Sequence, residues 1–271
     1  MFASAVFWRE LRAELKALLI WSLAMVLLVV SGMTKYTALS AAGATGASVT
    51  DLLAQMPESL RALLGFGTLD VASLVGYLVM LMLYFELTLA IHAALLGAGI
   101  LSKEERLKTV EFLYAKPISR TGVVMAKFAA ALVQLVVLNL LTLVTTLGVL
   151  PAYNHGPDIS SQVLNLFASV AFVQVVFLTL GFALASVLRD SRKAGAWATG
   201  LVVGTYLVDR MAPLSPPLKA LDAASPFSWF QLDSLASGEA LQGLSMVGAS
   251  LLVVGLGALS LWAFPRRDLR T

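Results

Sequence analysis

The 271-residue chain has no cysteine, only two histidines, and charge on only 13% of its residues. Without cysteine there are no disulfides, thiolate metal sites or cysteine nucleophiles, and the redox compartment stays open. Scarcity of charge excludes more. A soluble domain carries about 25% charged and about 45–50% apolar residues, whereas 59% of this chain is hydrophobic, with a mean hydropathy of +0.85. A water-soluble globular protein and a disordered chain are both ruled out. No lysine follows a glycine, so the Gly-Lys-Ser/Thr ending of a phosphate-cradling loop is missing. Gly-x-Ser-x-Gly and His-Glu-x-x-His are missing too. There is no internal repeat, no low-complexity tract and no polar stretch long enough for a soluble domain.

What is present is a series of apolar runs. Roughly 20 apolar residues cross about 30 Å of hydrocarbon. Six segments qualify, at about 17–33, 71–101, 122–150, 163–188, 194–211 and 246–264. They predict an all-α polytopic membrane protein with six transmembrane helices in a single domain over 1–271. The 19 Lys and Arg are divided unevenly between the loops: only Lys35, Arg61, Arg210 and Lys219 fall on one side. The excess on the other side predicts that both termini are cytoplasmic. A cleaved signal peptide is the alternative for the first span, but 16 preceding residues with two glutamates are unusual for a signal.

In the N-terminal arm, Phe7, Leu11, Leu15 and Leu18 recur at helical spacing, with Arg9, Glu10, Arg12 and Glu14 on much of the other side. This pattern predicts an amphipathic helix in the cytoplasmic interface, with a plain extension of span one as the alternative. In the first external loop, Pro57 suits the first turn of a short helix and Gly65 its end, which predicts a helical cap. The last external loop, 212–245, is rich in proline and carries Phe227, Trp229 and Phe230, residues suited to the headgroup level. Span two, nearly 30 residues long, is expected to run on into the cytoplasm.

The segment 102–120 carries most of the information. Ser102 can cap a helix with Glu104 and Glu105 near its positive end. Leu107, Val110, Phe112 and Leu113 supply an apolar stripe, Pro117 stops the helix and Ser119 can cap the next. The result is a short amphipathic helix parallel to the membrane, with apolar residues to dock a partner and charges to fix its register. From spacing alone, an ordinary loop is equally consistent.

The stretch Glu104-Glu105, then Thr109-Val-Glu-Phe-Leu-Tyr-Ala-Lys-Pro-Ile-Ser-Arg120, then Lys127, resembles the cytoplasmic loop of ABC-2 type permeases, the membrane subunits of ATP-binding-cassette exporters. Met56-Pro-Glu-Ser-Leu-Arg-Ala-Leu-Leu-Gly65 and Phe264-Pro-Arg-Arg-Asp-Leu269 resemble many members as well. Arg106-Leu107-Lys108 departs from the pattern, since many members have a third glutamate or a glycine there. The resemblance implies that the loop is the coupling helix, which inserts into a groove of a separate nucleotide-binding ATPase subunit. Glu104, Glu105, Lys108, Val110, Glu111, Phe112, Leu113 and Arg120 would then carry the coupling. It further implies two ATPase copies, a second permease chain, identical or paralogous, and a prokaryotic inner membrane. ATP and Mg would sit on the partner subunit; this chain would bind no cofactor and no nucleic acid. Exported substrates in the family are drugs, antibiotics, lipids or peptides, which suits apolar walls with few interior charges.

Glu86 falls near the middle of span two, where a charge is expensive, so it is a candidate for the translocation path. His92 and Asn139 are further candidates; His92 does not share a helix face with Glu86. Gln134, Asn139 and Gln174 also suit interhelical hydrogen bonds. Asp209 and Arg210 read as an ion pair or interfacial anchor. Ala196, Gly200 and Gly204, four residues apart, permit close helix approach, either as a dimer contact or as internal packing. Three rival readings exist, one of them a structural or sensory membrane subunit that transports nothing. The Glu-Glu-x-x-x-Arg motif of a membrane protease family is incomplete, since Thr109 stands where its arginine belongs. An ion-coupled transporter or channel would use Glu86 but would ordinarily show inverted repeats or several interior charges.

Overall fold

The computed structural model describes residues 2–44, 55–64, 73–111, 119–188, 190 and 193–267. Among them all regular structure is helical: α1 (Phe2–Ala13), α2 (Leu15–Ala44), α3 (Glu58–Leu63), α4 (Leu74–Leu107), α5 (Arg120–Val149), α6 (Ser160–Val187), α7 (Ala194–Met211), α8 (Pro216–Asp222), α9 (Leu232–Ala236) and α10 (Gly243–Arg266). Five of these, α2, α4, α5, α6 and α10, are long and apolar enough to cross a membrane. The remaining segment expected to span, 194–211, is the helix α7, which is not among these five. It has 18 residues, about 27 Å at 1.5 Å each, and Thr199, Thr205, Tyr206, Asp209 and Arg210 dilute its apolar character.

α4 is the central helix, packing on α2, α5, α6 and α7. Ser73 starts it, its Oγ accepting the Gly76 N–H at 3.1 Å. The sequence reading began a new helix at Ser102, and this is corrected. α4 passes straight through Ser102, whose hydroxyl donates to the Ala98 carbonyl at 2.7 Å. Lys103-Glu-Glu-Arg-Leu107 are good helix formers with no glycine or proline among them. The helix stops only where Lys108 turns left-handed, at φ +55°, and its N–H closes onto the Glu104 and Glu105 carbonyls. Glu104 and Glu105 therefore end a long rod rather than open a short one. Ser119 does cap α5 as read, its Oγ accepting from Gly122 N at 3.0 Å.

The tightest crossing lies between α4 and α6. A Cβ on Gly97 would sit 2.2 Å from the Leu178 carbonyl oxygen, and one on Gly181 would sit 2.4 Å from that of Ala94. Only glycine allows this approach, and in lipid such close packing is a main source of helix association. Ala196, Gly200 and Gly204 are exposed on α7, and among the described residues nothing lies within 4 Å of a Cβ on either glycine.

α2 packs with Leu18, Met25, Val29 and Met33, while Leu19, Ile20, Leu23 and Leu27 face outward. The Tyr77 hydroxyl of α4 donates to Gly32 O at 2.5 Å across that contact. α3 forms directly after Pro57, whose carbonyl accepts from Leu60 and Arg61; Gly65, its expected end, lies outside the described residues. Phe227 and Phe230 lie inside the protein. Both are buried, Phe227 against Phe177 and Tyr206 (centroids 5.2 and 5.5 Å) and Phe230 stacked on Phe172 at 5.6 Å. The proline-rich segment folds back onto α6 and α7, and Ser225 Oγ donates to Thr205 O at 3.3 Å.

Candidate functional site

The helix ends nearest the two chain termini carry two sets of ion pairs, which reach the neighbouring residues Glu104 and Glu105 of α4. α1 lies against α5, with Val6 buried on Val123 and Ala126. α1 meets α2 at Glu14, where hydrogen bonds from the Glu14 N–H to the Glu10 carbonyl at 3.1 Å and from the Leu18 N–H to the Glu14 carbonyl at 2.9 Å carry across the junction. The stripe read for it is only partly the buried one: Leu15 is exposed, and Glu10, read with the polar face, is 0% exposed. Lys103 of α4 explains this by donating to Glu10 Oε2 at 3.2 Å and to Glu14 Oε1 at 2.8 Å. Burial by itself would raise the Glu10 carboxyl. Lys127, the hydrogen bond from Arg9 and the charge of Lys103 outweigh it and hold the group below the usual carboxylate range.

Glu104 is clamped from two sides. Arg9 Nη2 donates to Oε1 at 2.7 Å, and Lys127 Nζ donates to Oε2. Lys127 is 1% exposed and also donates to the Ile100 carbonyl at 2.5 Å. A buried lysine is tolerated only when paired in this way. On the other side, Arg267 at the end of α10 donates to Glu105 and to the carbonyl of Ala185 at the end of α6. Arg120 Nη1, opening α5, donates to the carbonyls of Pro265 and Arg267, each at 3.0 Å.

The connection between α4 and α5 is thus anchored at both of its roots. Of the residues singled out there, Glu104, Glu105 and Arg120 converge on the network. Val110 is buried, while Lys108 and Glu111 are exposed; Phe112, Leu113 and Pro117 lie outside the described residues. Arg9, Glu10, Lys103 and Arg267 were not read as site residues. Lys127 was the available signal, since a lysine eight residues into an apolar span needs a nearby acid.

The intramembrane candidates do not form one site. Glu86 is 1% exposed, and its Oε1 has no hydrogen-bond partner among the described residues. It lies within electrostatic range of Asp209 and Arg210, which pair with each other, Nε to Oδ2 at 2.7 Å. His92 faces α2, edge-on to Trp21 at 5.0 Å. Asn139 Nδ2 donates to Gln174 Oε1 at 2.8 Å, an interhelical bond between α5 and α6.

No curated protein matches the chain. The family model described as ABC-2 family transporter protein matches residues 4–269, nearly the whole length. That match, on a chain with five helices fit to cross a membrane, agrees with the resemblance carried by the Glu104–Arg120 loop, and the chain belongs to the ABC-2 family of transporter proteins.

Proposed function

We propose that the chain is the permease subunit of an ATP-driven exporter in a prokaryotic cytoplasmic membrane. It moves a hydrophobic or amphipathic substrate and takes its energy from a separate ATPase. The observation that carries this reading is the double anchoring of the 108–119 connection, through Glu104 and Glu105 on one root and Arg120 on the other. A loop held in this way acts as a lever: a push on it reaches α1, α4, α5, α6 and α10 together. Glu111, Phe112 and Leu113 are the residues that meet the ATPase. Six crossings are supported by the chain path, and cytoplasmic termini by the uneven division of Lys and Arg between the loops. α6 and α10 both end beside Arg267, so the chain between them must return to the opposite end, and α7 is the long helix in that interval.

An apolar groove of about 310 Å³ between α6 and α10, lined by Ala171, Phe172, Val175, Ala249 and Val253, supports an apolar substrate. The exposed face of Ala196, Gly200 and Gly204 supports α7 as the contact with a second permease chain. The test is purification of the tagged chain from its native host in mild detergent, with mass spectrometry of what accompanies it. A near-stoichiometric protein carrying a P-loop is the expected result. Its absence, even after crosslinking at Glu111, would overturn the reading.

A further inference from the structure

The arm formed by α1 and the start of α2 sorts its charges by side. Glu10 and Glu14 turn inward to Lys103, and Arg9 is engaged with them, bonded to Glu10 and to Glu104. Arg12 and Lys16 stay outside. Both are exposed, and among the described residues no acid pairs with either. Trp8, Leu15 and Leu19 are exposed beside them. The helical hydrogen bonds that carry across Glu14 keep one register from α1 into α2. At 3.6 residues per turn, Trp8, Arg12, Leu15, Lys16, Leu19 and Leu23 fall within about 100° of one another, and Glu10 and Glu14 lie on the opposite side. On that same outer side α2, a helix long and apolar enough to cross a membrane, exposes Leu19, Leu23 and Leu27.

We propose that this outer face, with Arg12 and Lys16 as its two cations and Trp8 beside them, binds anionic phospholipid headgroups in the leaflet that α2 enters. This goes beyond the exporter reading and does not depend on it; it needs only that α2 crosses the bilayer.

Depth, continuity and charge point to lipid. Along the helix axis Lys16 and Arg12 lie about 5 and about 10 Å before Leu19, at about 1.5 Å per residue. The headgroup layer on each side of the hydrocarbon is about 5–8 Å thick, and long basic side chains reach along it. A tryptophan such as Trp8 suits the same layer. The exposed apolar run of α2 follows without a break, which makes the bilayer the neighbour of this face. Charge then selects the lipid. With Glu10 and Glu14 turned away, no acid on this face neutralises the two cations. A zwitterionic headgroup brings its own ammonium beside its phosphate, whereas an anionic one offers the cations its full charge. Each basic residue near an anionic surface is worth about fivefold in association, so the pair is worth up to about thirtyfold. Lipid on one side, with Lys103 and Arg9 on the other, fixes the arm between the leaflet and the end of α4.

The chain has no cysteine, so Ala13→Cys, exposed next to Arg12, takes a single bimane label on the full chain in liposomes. Phosphatidylglycerol and phosphatidylcholine, each carrying a nitroxide high on one acyl chain, are compared as quenchers at equal mole fraction. Phosphatidylglycerol should associate with the labelled site about tenfold more strongly or better. Salt at about 1 M, where the Debye length is about 3 Å, should remove most of that preference. When Arg12→Gln and Lys16→Gln are added together, the preference should fall to near one while quenching by phosphatidylcholine stays as in the parent. Equal quenching by the two lipids in the parent, a preference that ignores salt, or a preference that survives both substitutions overturns the site. Inorganic phosphate at constant ionic strength should not compete; if it abolishes the preference, the face binds a free anion and the lipid assignment is wrong. The salt and phosphate arms use the labelled parent alone, so they decide the matter even where the substituted chain does not fold. No ATPase or transported substrate is needed, so failure here is distinct from failure of the exporter reading.

Discussion

Lys127 of α5 reaches Glu104 of α4 and the carbonyl of Ile100 one turn below it, with 1% of its surface exposed. The ammonium thus holds both a side chain and the backbone near the end of the central helix. Arg9 holds the same carboxylate from the opposite side, through α1. The last turns of α4 therefore cannot shift relative to α5 without dragging the N-terminal helix along. For a loop that receives a push from a partner, such stiffness lets the push arrive in the membrane as a displacement of helices.

Lys127→Met should leave Glu104 buried with Arg9 as its remaining counter-ion. Breaking a buried pair by removing one partner costs about 3–5 kcal/mol. The double variant Lys127→Met with Glu104→Gln should recover a large part of that loss. Thermal unfolding of all three variants in detergent measures the cycle; a single-variant cost under about 1 kcal/mol would mean that the pair is not desolvated as the structure shows.

Gly97→Ala and Gly181→Ala should each destabilise the fold. Their new methyl groups would meet backbone atoms at 2.2 and 2.4 Å, and backbone cannot turn aside as a side chain can. A cost of about 1–3 kcal/mol is expected for such overpacking. Gly200→Ala and Gly204→Ala, which meet open space, should leave the stability of the protomer unchanged. If α7 is the permease contact, Gly200→Leu should instead reduce crosslinking between two chains while thermal unfolding stays as in the parent.

Glu105→Ala and Phe112→Ala should separate ATP hydrolysis from export once the ATPase partner is in hand. Glu105 is held by Arg267, so its loss releases the end of α10 from α4, while Phe112 belongs to the segment read as the wedge. Export should fall about tenfold or more, equivalent to roughly 1.4 kcal/mol of coupling, with basal hydrolysis retained. Full export together with full substrate-stimulated hydrolysis in both variants would remove this loop from the mechanism.

Glu10 should give the fold a dependence on acid. Its carboxyl titrates below the usual range in the folded chain because Lys127, Arg9 and Lys103 favour the ionised form despite burial. The stability it contributes is complete above the ordinary glutamate value of about 4.3 and is lost as the pH falls through the lower folded value. The unfolding temperature of the parent should therefore drop between about pH 5 and about pH 3. In Glu10→Gln that slope should be shallower and the neutral-pH stability lower; an unchanged slope would show that other carboxylates govern the acid limb.

The membrane character, the helical class and the approximate bounds of the long helices were legible because lipid imposes a simple rule: a run of about 20 apolar residues must hydrogen-bond within itself. The Ser119 cap was equally local, one hydroxyl serving an N–H three residues on. Ser102 misled the reading because its hydroxyl has two uses. It can cap a new helix or bond back within an old one, and the choice depends on whether α4 has somewhere to continue. It does, toward Lys127 and Arg9, which lie 23 and 95 positions from Glu104 in the chain but which helix packing brings within hydrogen-bond reach of it.

The chain by itself determined that it is a bundle of membrane-crossing helices with a charged connection between its second and third long apolar runs, and the pattern of that connection was enough to name the family. Only tertiary structure decided which charges are buried together. Glu10 was read as polar surface and became a core residue, because a helix facing a cluster of cations buries what pairs with them. Gly97 and Gly181 became the closest helix contact, while the more regular glycines of α7 stayed open. Helical periodicity is set over a few residues and can be read in one dimension. The pairing of a carboxylate with an ammonium, or of a glycine with a neighbouring carbonyl, depends on the rotation and depth of two separate helices, which no single stretch of sequence encodes.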